Sequence, residues 1–380
     1  MKTGPCPIEL TADLIRCPSV TPAEGGAIAL LEELLAEAGF KCTRIPRGGI
    51  ENLHARWGRE GPIFGYNGHT DVVPVGNRDS WTHDPFSGHI EAGVLWGRGA
   101  TDMKSGVAAF VAAAIRFVQE TPPTGSISIL ITGDEEGDAT DGTTAILDWM
   151  GQAGETLDAC IVGEPTSVAR LGDVIKIGRR GSMTGTLTVR GKQGHTAYPD
   201  RANNPLPVLA QICAAIAGTP LDQGSEHFQP STLALTSIDV GNPANNVIPS
   251  EGRAVFNIRY NDLHDAEGIQ AWVKRFVDEG IGSTGCSADL TWKISGESFL
   301  TETGAFTELV SAAVAGTAGT NPQMTTGGGT SDARFIKSIC PVVEVGLVGD
   351  TMHQIDERVP VADIEGLSRI YGEILRRFFA

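Results

Sequence analysis

The pattern of apolar and polar positions in the first half of the chain alternates between helices and short strands. Ile28, Leu31, Leu35 and Ala38 recur at helical spacing, and Gly39 is a natural place for that helix to end. A second, longer helix is predicted at 103–120. Buried strands are predicted at 63–66, 127–132, 159–162 and, near the carboxyl terminus, 341–347. This alternation is typical of a layered α/β domain with a mixed, largely parallel sheet.

The middle of the chain has a different pattern. At 184–190, Leu187 and Val189 alternate with threonines, as expected for a strand with one buried face. The elements that follow are a helix at 205–217, strands at 232–240 and 254–260, a helix at 266–278 and a strand at 288–294. Their order, β-α-β-β-α-β, is that of a ferredoxin-like unit. We therefore predict an inserted domain at 180–295 within a discontinuous α/β domain made of 1–179 and 296–380.

The length, net charge and cysteine content of the chain argue against several classes of function. The chain has 380 residues, enough for two domains, and a net charge of −17. That charge argues against nucleic acid or an anionic membrane as a partner. Seven scattered cysteines without a C-x-x-C pair indicate reduced thiols and a cytoplasmic protein. The first ten residues, MKTGPCPIEL, lack the apolar core of a signal peptide, and no apolar stretch is long enough to span a bilayer.

Metal-ligating side chains follow the predicted strands and helix starts of the α/β domain. They occur in the segments NGHTDVVP, GRGATDMKSG, ITGDEEG, IVGEP and TMHQID. Because the carboxyl ends of parallel strands share one edge of a sheet, residues distant in sequence are expected to meet there. The set is His69, Asp102, Glu136, Glu164 and His353. Each alone has an ordinary explanation, such as a helix cap or a solvated loop, but their shared placement predicts a metal site.

Two imidazoles and three carboxylates suit zinc or a related divalent ion, and five ligands suit a pair of ions sharing one carboxylate and one water. Glu135, next to Glu136, is then an unbound carboxylate placed to take a proton from that water. Asp71, two residues after His69, lies on the same side of an extended segment. We expect it to accept the other ring N–H of His69 and fix its tautomer.

The motifs GHTDVVP, GRGATDMKSG, TGDEEG and GEPT resemble, in this order, the signature of the two-zinc aminoacylase and exopeptidase family. The resemblance covers nearly the whole chain, including the insertion. Other segments resemble one group of enzymes within that family more closely than the rest of the family. They are WTHDPF, GRRGSMTGTLTVRGKQGHTAYPDRANNPL, NNVIPSE, FNIRY, TGGGTSDARFI and MHQIDERV.

The resemblance implies a role for each matching residue. Asp102 bridges two zinc ions, one of which cobalt can replace; His69 and Glu164 complete one site, and Glu136 and His353 the other. Glu135 is the general base and acid, and Asp71 orients His69. His195, which spacing alone would make a loop histidine, reaches an active site across a homodimer formed by the inserted domain. Substrate contacts are implied for Arg179, Asn245, Arg259, Gly328, Gly329 and Thr330.

The implied reaction is hydrolysis of N-succinyl-LL-2,6-diaminopimelate to succinate and LL-2,6-diaminopimelate, a step of diaminopimelate and lysine biosynthesis. Alternatives are an N-acetylornithine deacetylase, a related aminoacylase or dipeptidase, and a non-catalytic metal-dependent binding protein. Two segments depart from the family pattern. Gly349 and Asp350 stand where an asparagine is common before the last histidine, and Asp200 replaces a histidine common after AYP. These departures concern substrate contacts rather than the metal ligands.

Overall fold

The structure is a computed structural model that describes residues 4–380. The prediction about the amino-terminal segment falls partly on residues 1–3, which lie outside the described residues. The α-helices are α1 (Pro7–Arg16), α2 (Ala27–Glu37), α3 (Lys104–Glu120), α4 (Thr143–Ala153), α5 (Pro205–Gly218), α6 (Ala266–Ile281), α7 (Ala305–Ala318), α8 (Ala333–Ile336) and α9 (Val361–Phe378). In the described part of the chain, no helix is both long enough and apolar enough to cross a membrane.

The strands fall into one large sheet and several smaller ones. In chain order they are β1 (Lys41–Arg44), β2 (Leu53–Trp57), β3 (Ile63–His69), β4 (His89–Glu91), β5 (Val94–Trp96), β6 (Ser126–Thr132), β7 (Ala159–Val162), β8 (Val174–Lys176), β9 (Gly178–Arg179), β10 (Gly181–Arg190), β11 (Gly194–His195), β12 (Thr232–Asp239), β13 (Val247–Ile248), β14 (Glu251–Tyr260), β15 (Ser287–Gly296), β16 (Phe299–Leu300), β17 (Gln323–Thr325), β18 (Val342–Glu344) and β19 (Arg358–Pro360).

The chain divides into two compact units. The first consists of Met1–Ile177, Thr301–Thr325 and Ser331–Ala380, and the second of Gly178–Leu300 and Thr326–Thr330. The predicted insertion, 180–295, lies inside the second unit, but the unit is larger. Its pairing of β9 with β16 adds residues on both sides, and the Arg179 guanidinium donates to the carbonyl of Gly329 at 3.0 Å, which joins the 326–330 loop to it.

The first unit is built on an eight-stranded mixed sheet in the order β1-β2-β6-β3-β7-β18-β8-β17. The pairs β3/β6, β3/β7, β7/β18 and β8/β17 are parallel, and the remaining neighbours are antiparallel. Every residue of β3, β6 and β7 is buried, because helices cover both faces of the sheet centre. Tyr66 of β3 stacks on Phe110 of α3, and both rings meet Tyr371 of α9. This packing holds the strand ends that carry the polar side chains.

The second unit contains a four-stranded antiparallel sheet in the order β12-β14-β10-β15. With α5 and α6 it confirms the predicted β-α-β-β-α-β order of a ferredoxin-like unit. Alternate residues of β10 and β14 are buried, including Leu187, Val189, Phe256 and Ile258, and they form one core with the apolar faces of the two helices. The apolar alternation in the sequence therefore gives the buried face of this sheet correctly.

Candidate active site

His69 occupies the carboxyl end of β3 and is buried. Its Nδ1 lies 2.9 Å from the carbonyl oxygen of Asp71, which fixes Nδ1 as the protonated nitrogen and leaves Nε2 as a donor to a metal. The carboxylate of Asp71 is farther away, at 3.6 Å from Nδ1. Asp71 thus orients the ring mainly through its backbone carbonyl, whereas the sequence argument assigned that contact to the side chain.

The Asp71 carboxylate instead holds the acidic turn after β6. It accepts hydrogen bonds from the backbone N–H groups of Glu135 at 3.2 Å and Glu136 at 3.0 Å, and from the hydroxyl of Thr21 at 2.7 Å. Asp134 shapes the same turn by accepting from the backbone of Thr140 and of the next residue. Of the three consecutive acidic residues, Asp134 is therefore structural, and only Glu135 and Glu136 are candidates for a catalytic or metal-binding role.

Asp102 lies in the glycine-rich turn before α3, with its carboxylate between two histidines. Oδ1 is 3.2 Å from Nε2 of His69, and Oδ2 is 3.3 Å from Nε2 of His353. Each oxygen of this one carboxylate thus faces a different imidazole, which is the geometry that a bridging ligand needs.

The remaining predicted ligands fall on opposite sides of Asp102. Glu164, just after β7, has Oε1 3.8 Å from Nε2 of His69. Glu136 has Oε1 2.9 Å from Nε2 of His353. The structure therefore brings all five predicted ligands together as two groups, each with one imidazole and one carboxylate, that share Asp102.

Two backbone features fix this arrangement. His353 adopts a φ of +63°, a left-handed conformation that is uncommon for a residue with a Cβ and is often found at functional sites. Gly346, after β18, has no room for a side chain, since a Cβ there would lie 2.1 Å from the carbonyl oxygen of Glu164. The close approach of the two segments at Gly346 keeps Glu164 at the sheet edge.

The pKa values of the two histidines and of Asp102 depend on the charged groups packed around them. Burial acts to lower the pKa of His69, but the hydrogen bond to Asp102 and the charge of Glu164 outweigh it and hold that pKa well above its ordinary value. Hydrogen bonds to Asp102 and Glu136 raise the pKa of His353 to about 10. Burial acts to raise the pKa of Asp102, but the hydrogen bonds from the two histidines lower it. Without a metal, protons on the imidazoles would balance the carboxylates.

Glu135 is half-buried beside the His69 group. One ligand atom each from His69, Glu135 and Glu164 all lie within 4.8 Å of one another. Burial raises the pKa of the Glu135 carboxyl well above its ordinary value, and the charges of Glu164 and Asp332 raise it further. A carboxyl with a raised pKa beside a polar cluster is suited to accept a proton and return it.

The donor set fits a pair of divalent ions. Imidazole and carboxylate are the ligands that zinc and related ions prefer in proteins, and a shared carboxylate is typical of sites with two ions. His69, Asp102 and Glu136 also form a group whose ligand atoms lie within 4.8 Å of one another. Residues of this chain thus offer candidate ligands for two ions.

A pair of residues, Arg98 and Glu357, forms a clamp on the turn that carries Asp102, and this clamp was not predicted from the sequence. The buried carboxylate of Glu357 accepts hydrogen bonds from the backbone N–H groups of Gly99 at 3.0 Å, Thr101 at 2.8 Å and Asp102 at 3.1 Å. It also pairs with the Arg98 guanidinium at 2.7 Å. Glu357 lies in the segment MHQIDERV, and its neighbours in the fold come from the glycine-rich turn. Only the presence of the candidate ligand His353 in the same segment could have drawn attention to it.

Asp332 was also missed as a candidate. Its side chain is buried, and burial raises the pKa of its carboxyl while the charge of Arg334 lowers it. It lies in the segment TGGGTSDARFI, in which only Gly328, Gly329 and Thr330 were predicted as site residues. Its charge acts on Glu135, as described above, so it contributes to the electrostatics of the site.

The other predicted residues lie in the second unit. His195 is exposed on β11, which pairs with β13, and Thr196 bonds to the backbone of Asn246, so the segments of His195 and Asn245 are neighbours. Arg179 is buried and bonds to Gly329, as noted above. Arg259 of β14 is half-buried. Burial lowers the pKa of Arg259, and the charge of Arg180 lowers it further, which places two cations close together.

Comparison with known proteins relates both units to one family. Residues 65–377 match the model of peptidase family M20/M25/M40. A succinyl-diaminopimelate desuccinylase of Cereibacter sphaeroides is 60% identical over 375 residues, which cover 98% of this chain and 99% of that protein.

Two solved structures share the fold at low sequence identity. A metallo-carboxypeptidase of the M20 family from Sulfolobus solfataricus has a TM-score of 0.80 at 16% identity, over 98% of this chain and 99% of that one. A dinuclear metal-binding M20 peptidase from Bacillus subtilis has a TM-score of 0.74 at 17% identity, over 98% of each chain. The match over most of the chain and the 60% identity lead to one conclusion: the chain belongs to peptidase family M20/M25/M40.

Proposed function

We propose that this protein is a metal-dependent amidohydrolase that converts N-succinyl-LL-2,6-diaminopimelate to succinate and LL-2,6-diaminopimelate. The observation that carries the proposal is the Asp102 carboxylate, which faces His69 with one oxygen and His353 with the other. The 60% identical relative is a succinyl-diaminopimelate desuccinylase, which supports the choice of substrate within the family. The pathway would be diaminopimelate and lysine biosynthesis.

The metal sites would be held by residues of the first unit. His69 and Glu164 would bind one ion, Glu136 and His353 the other, and Asp102 both. We propose zinc, with cobalt able to replace it at one site, because imidazole and carboxylate oxygens suit either ion. Two such ions supply positive charge that polarises the amide carbonyl and lowers the pKa of a water molecule. The dinuclear site of the Bacillus subtilis relative is consistent with this assignment.

Glu135 would carry the proton through the reaction. Its backbone is held by the Asp71 carboxylate, so the side chain is positioned beside His69 and Glu164. It takes the proton of the attacking water and then gives it to the departing amine of diaminopimelate. One carboxylate serves both steps, since the proton that it gains in the first is the proton that the leaving group needs. His195 would stabilise the negative charge that develops on the carbonyl oxygen.

Substrate recognition would use the second unit. The substrate carries several carboxylates, and bidentate guanidinium groups suit them. Arg180 lies close enough to Arg259 for its charge to lower the pKa of Arg259, and the buried Nε of Arg180 has no hydrogen-bond partner among the described residues. Two cations held together in this way favour an anion between or beside them. We assign Arg179, Asn245, Arg259, Gly328, Gly329 and Thr330 to contacts with the substrate.

The protein is proposed to act as a cytoplasmic homodimer formed through the second unit. The four-stranded sheet has two edge strands, β12 and β15, and the side chain of Ile238 on β12 is 55% exposed. Exposed edges with apolar side chains favour pairing with a second copy.

A substrate panel tests the function. Protein reconstituted with zinc is assayed on N-succinyl-LL-2,6-diaminopimelate, N-acetylornithine and an unmodified dipeptide. We expect the highest kcat/KM on the succinyl substrate, and loss of activity after dialysis against a chelator. A higher kcat/KM on N-acetylornithine or the dipeptide would support the deacetylase or dipeptidase alternative instead. Stoichiometric zinc binding without turnover of any substrate would support a binding protein.

A further inference from the structure

A second group of metal-ligating side chains lies in the first unit, on the three-stranded sheet β19-β5-β4. His89 and Glu91 belong to β4, and His83 precedes that strand in the loop. One ligand atom from each of the three lies within 4.8 Å of the other two. None of them contributes to the proposed active site, so the group requires its own explanation.

The geometry within the group is close to that of a metal site. His83 Nε2 is 3.5 Å from Oε2 of Glu91, and the His83 and His89 rings are 4.1 Å apart at 29°. Zinc–ligand distances of about 2.0–2.2 Å place tetrahedral ligand atoms roughly 3.3–3.5 Å from one another. His83 and Glu91 already have that separation. His89 and Glu91 are exposed, so their side chains have room to turn toward a shared ion.

The backbone that carries these side chains is well fixed. Thr82 donates both its N–H and its hydroxyl to the Asp356 carboxylate, each at 2.7 Å. At the other end, β4 is paired with β5, so that His89 lies opposite Trp96. The His83 ring also meets the Trp96 ring edge-on, with centroids 5.3 Å apart. A ligand set on fixed backbone loses little freedom on binding, which favours affinity.

We propose that His83, His89 and Glu91 form a surface site for a single divalent transition ion, separate from the active site. Two imidazoles and one carboxylate select zinc, nickel or copper over magnesium or calcium, which prefer oxygen ligands alone. The Glu91 side chain is 65% exposed and that of His83 23%, so the remaining coordination positions are open to water. The site therefore binds its ion reversibly.

The alternative is a plain aromatic stack of His83, His89 and Trp96 with a surface ion pair to Glu91. In that case His89 would contribute packing and no affinity for metal. The two explanations differ in the effect of His89→Ala on metal binding, which can be measured directly.

The test is calorimetric titration of the protein, already loaded with its active-site metal and freed of excess, with nickel chloride at pH 7.5. We expect one additional binding event per chain in the wild type. His89→Ala and Glu91→Gln should each weaken that event at least ~10-fold, since each removes a ligand. Magnesium chloride should give no event. At pH 5.5 the event should weaken strongly, because protonated imidazoles cannot bind a metal.

The matched control is His227→Ala, which removes an exposed histidine of the second unit. It should leave the additional event unchanged, and all three variants should keep the turnover of the wild type without added nickel. An isotherm of His89→Ala identical to that of the wild type, or no additional event in the wild type, overturns the proposal. Both results are independent of which substrate the active site cleaves, because the comparison uses only metal binding.

Discussion

Glu135 and Glu136 are neighbours in the chain but have different partners. Glu136 is hydrogen-bonded to His353, whereas Glu135 lies beside His69 and Glu164. Both backbone N–H groups are held by the same carboxylate, that of Asp71. The proposed roles of metal ligand for Glu136 and proton carrier for Glu135 thus fall on consecutive residues of one turn, and one carboxylate holds the backbone of both.

Glu135→Gln is expected to lower kcat by about 10²–10⁴-fold, because the amide cannot take the proton of the attacking water. Zinc content, measured by mass spectrometry of the purified protein, should stay at the wild-type value. The matched control is Glu302→Gln, which changes an exposed glutamate in the same way and should leave kcat unchanged. Retention of near-normal kcat in Glu135→Gln would remove Glu135 from the mechanism.

The proximity of the five proposed ligands could be predicted from the sequence because each follows an apolar strand or begins a helix, and such positions meet at one sheet edge. The hydrogen bonds that Asp71 makes could not be predicted from the sequence. Whether its carbonyl or its carboxylate meets His69 depends on the turn after β6, which is more than 60 residues away in the chain. Glu357 was missed for the same reason, since its partners are backbone groups of a distant turn.

The turn that carries Asp102 is held by hydrogen bonds to the distant residue Glu357. The Glu357 carboxylate accepts hydrogen bonds from the backbone N–H groups of three residues of that turn, and the side chains of Arg98 and Glu357 are almost fully buried. Charge-assisted hydrogen bonds to backbone N–H groups are among the stronger ones in proteins. The clamp therefore sets the direction of the Asp102 carboxylate.

Glu357→Gln should weaken metal binding at the active site by about 10–100-fold, as expected when a group that orients a ligand is altered. Competition with a fluorescent zinc chelator measures the affinity. Glu365→Gln, an exposed glutamate on α9, is the matched control. A lower melting temperature of Glu357→Gln with unchanged metal affinity would mean that the clamp supports the fold alone.

The antiparallel strand β2 carries a pH-sensitive group. His54 is buried against Ser128 of β6, and burial lowers its pKa to about 4. As the pH falls below 6.5, the unfolded chain takes up a proton at His54 that the folded chain does not accept until about pH 4. Between these two pH values the unfolded state binds more protons than the folded state. The free energy of unfolding therefore decreases as the pH is lowered from 6.5 to about 4.

Between pH 7 and pH 5 this group should reduce the free energy of unfolding by about 2 kcal/mol. Urea denaturation of the wild type and of His54→Gln at both pH values measures it. The variant should be less stable at pH 7, because the ring contact with Trp149 is lost, but should lose less stability on acidification. An equal loss in both proteins would show that His54 does not contribute.

The strands whose residues are all buried, such as β3, β6 and β7, were predicted at or within a few residues of their observed bounds. The edge strand β1 and its neighbour β2 were not predicted, because their sequences, KCTR and LHARW, mix charged and apolar residues without a clear period. Their conformation depends on pairing, of β1 with β2 and of β2 with β6, rather than on local pattern. The same dependence explains the short strands β9 and β16, which extended the second unit beyond the predicted insertion.

In the proposed homodimer, His195 is expected to reach the active site of the partner subunit. Mixing two inactive variants tests this. In a heterodimer of Glu135→Gln and His195→Ala chains, one of the two sites has an intact Glu135 and receives an intact His195 from the other chain. After unfolding and refolding together, random pairing should restore about a quarter of wild-type turnover.

The contrary outcome is equally clear. If His195 acted within its own chain, every site of the mixture would lack either Glu135 or His195, and turnover would stay at the level of the separate variants. Each variant refolded alone supplies the control. Sedimentation velocity on the mixture should show twice the monomer mass.

The order of the segments in the first unit has a consequence for synthesis of the protein. Four of the proposed ligands lie at or before residue 164, but β18 enters the sheet between β7 and β8 only after the whole second unit has been made. His353 follows later still. A nascent chain on the ribosome therefore has an open edge at β7 while the second unit is being made. In the proposed metal centre, tight uptake of the ion assigned to Glu136 and His353 must wait until His353 has been made.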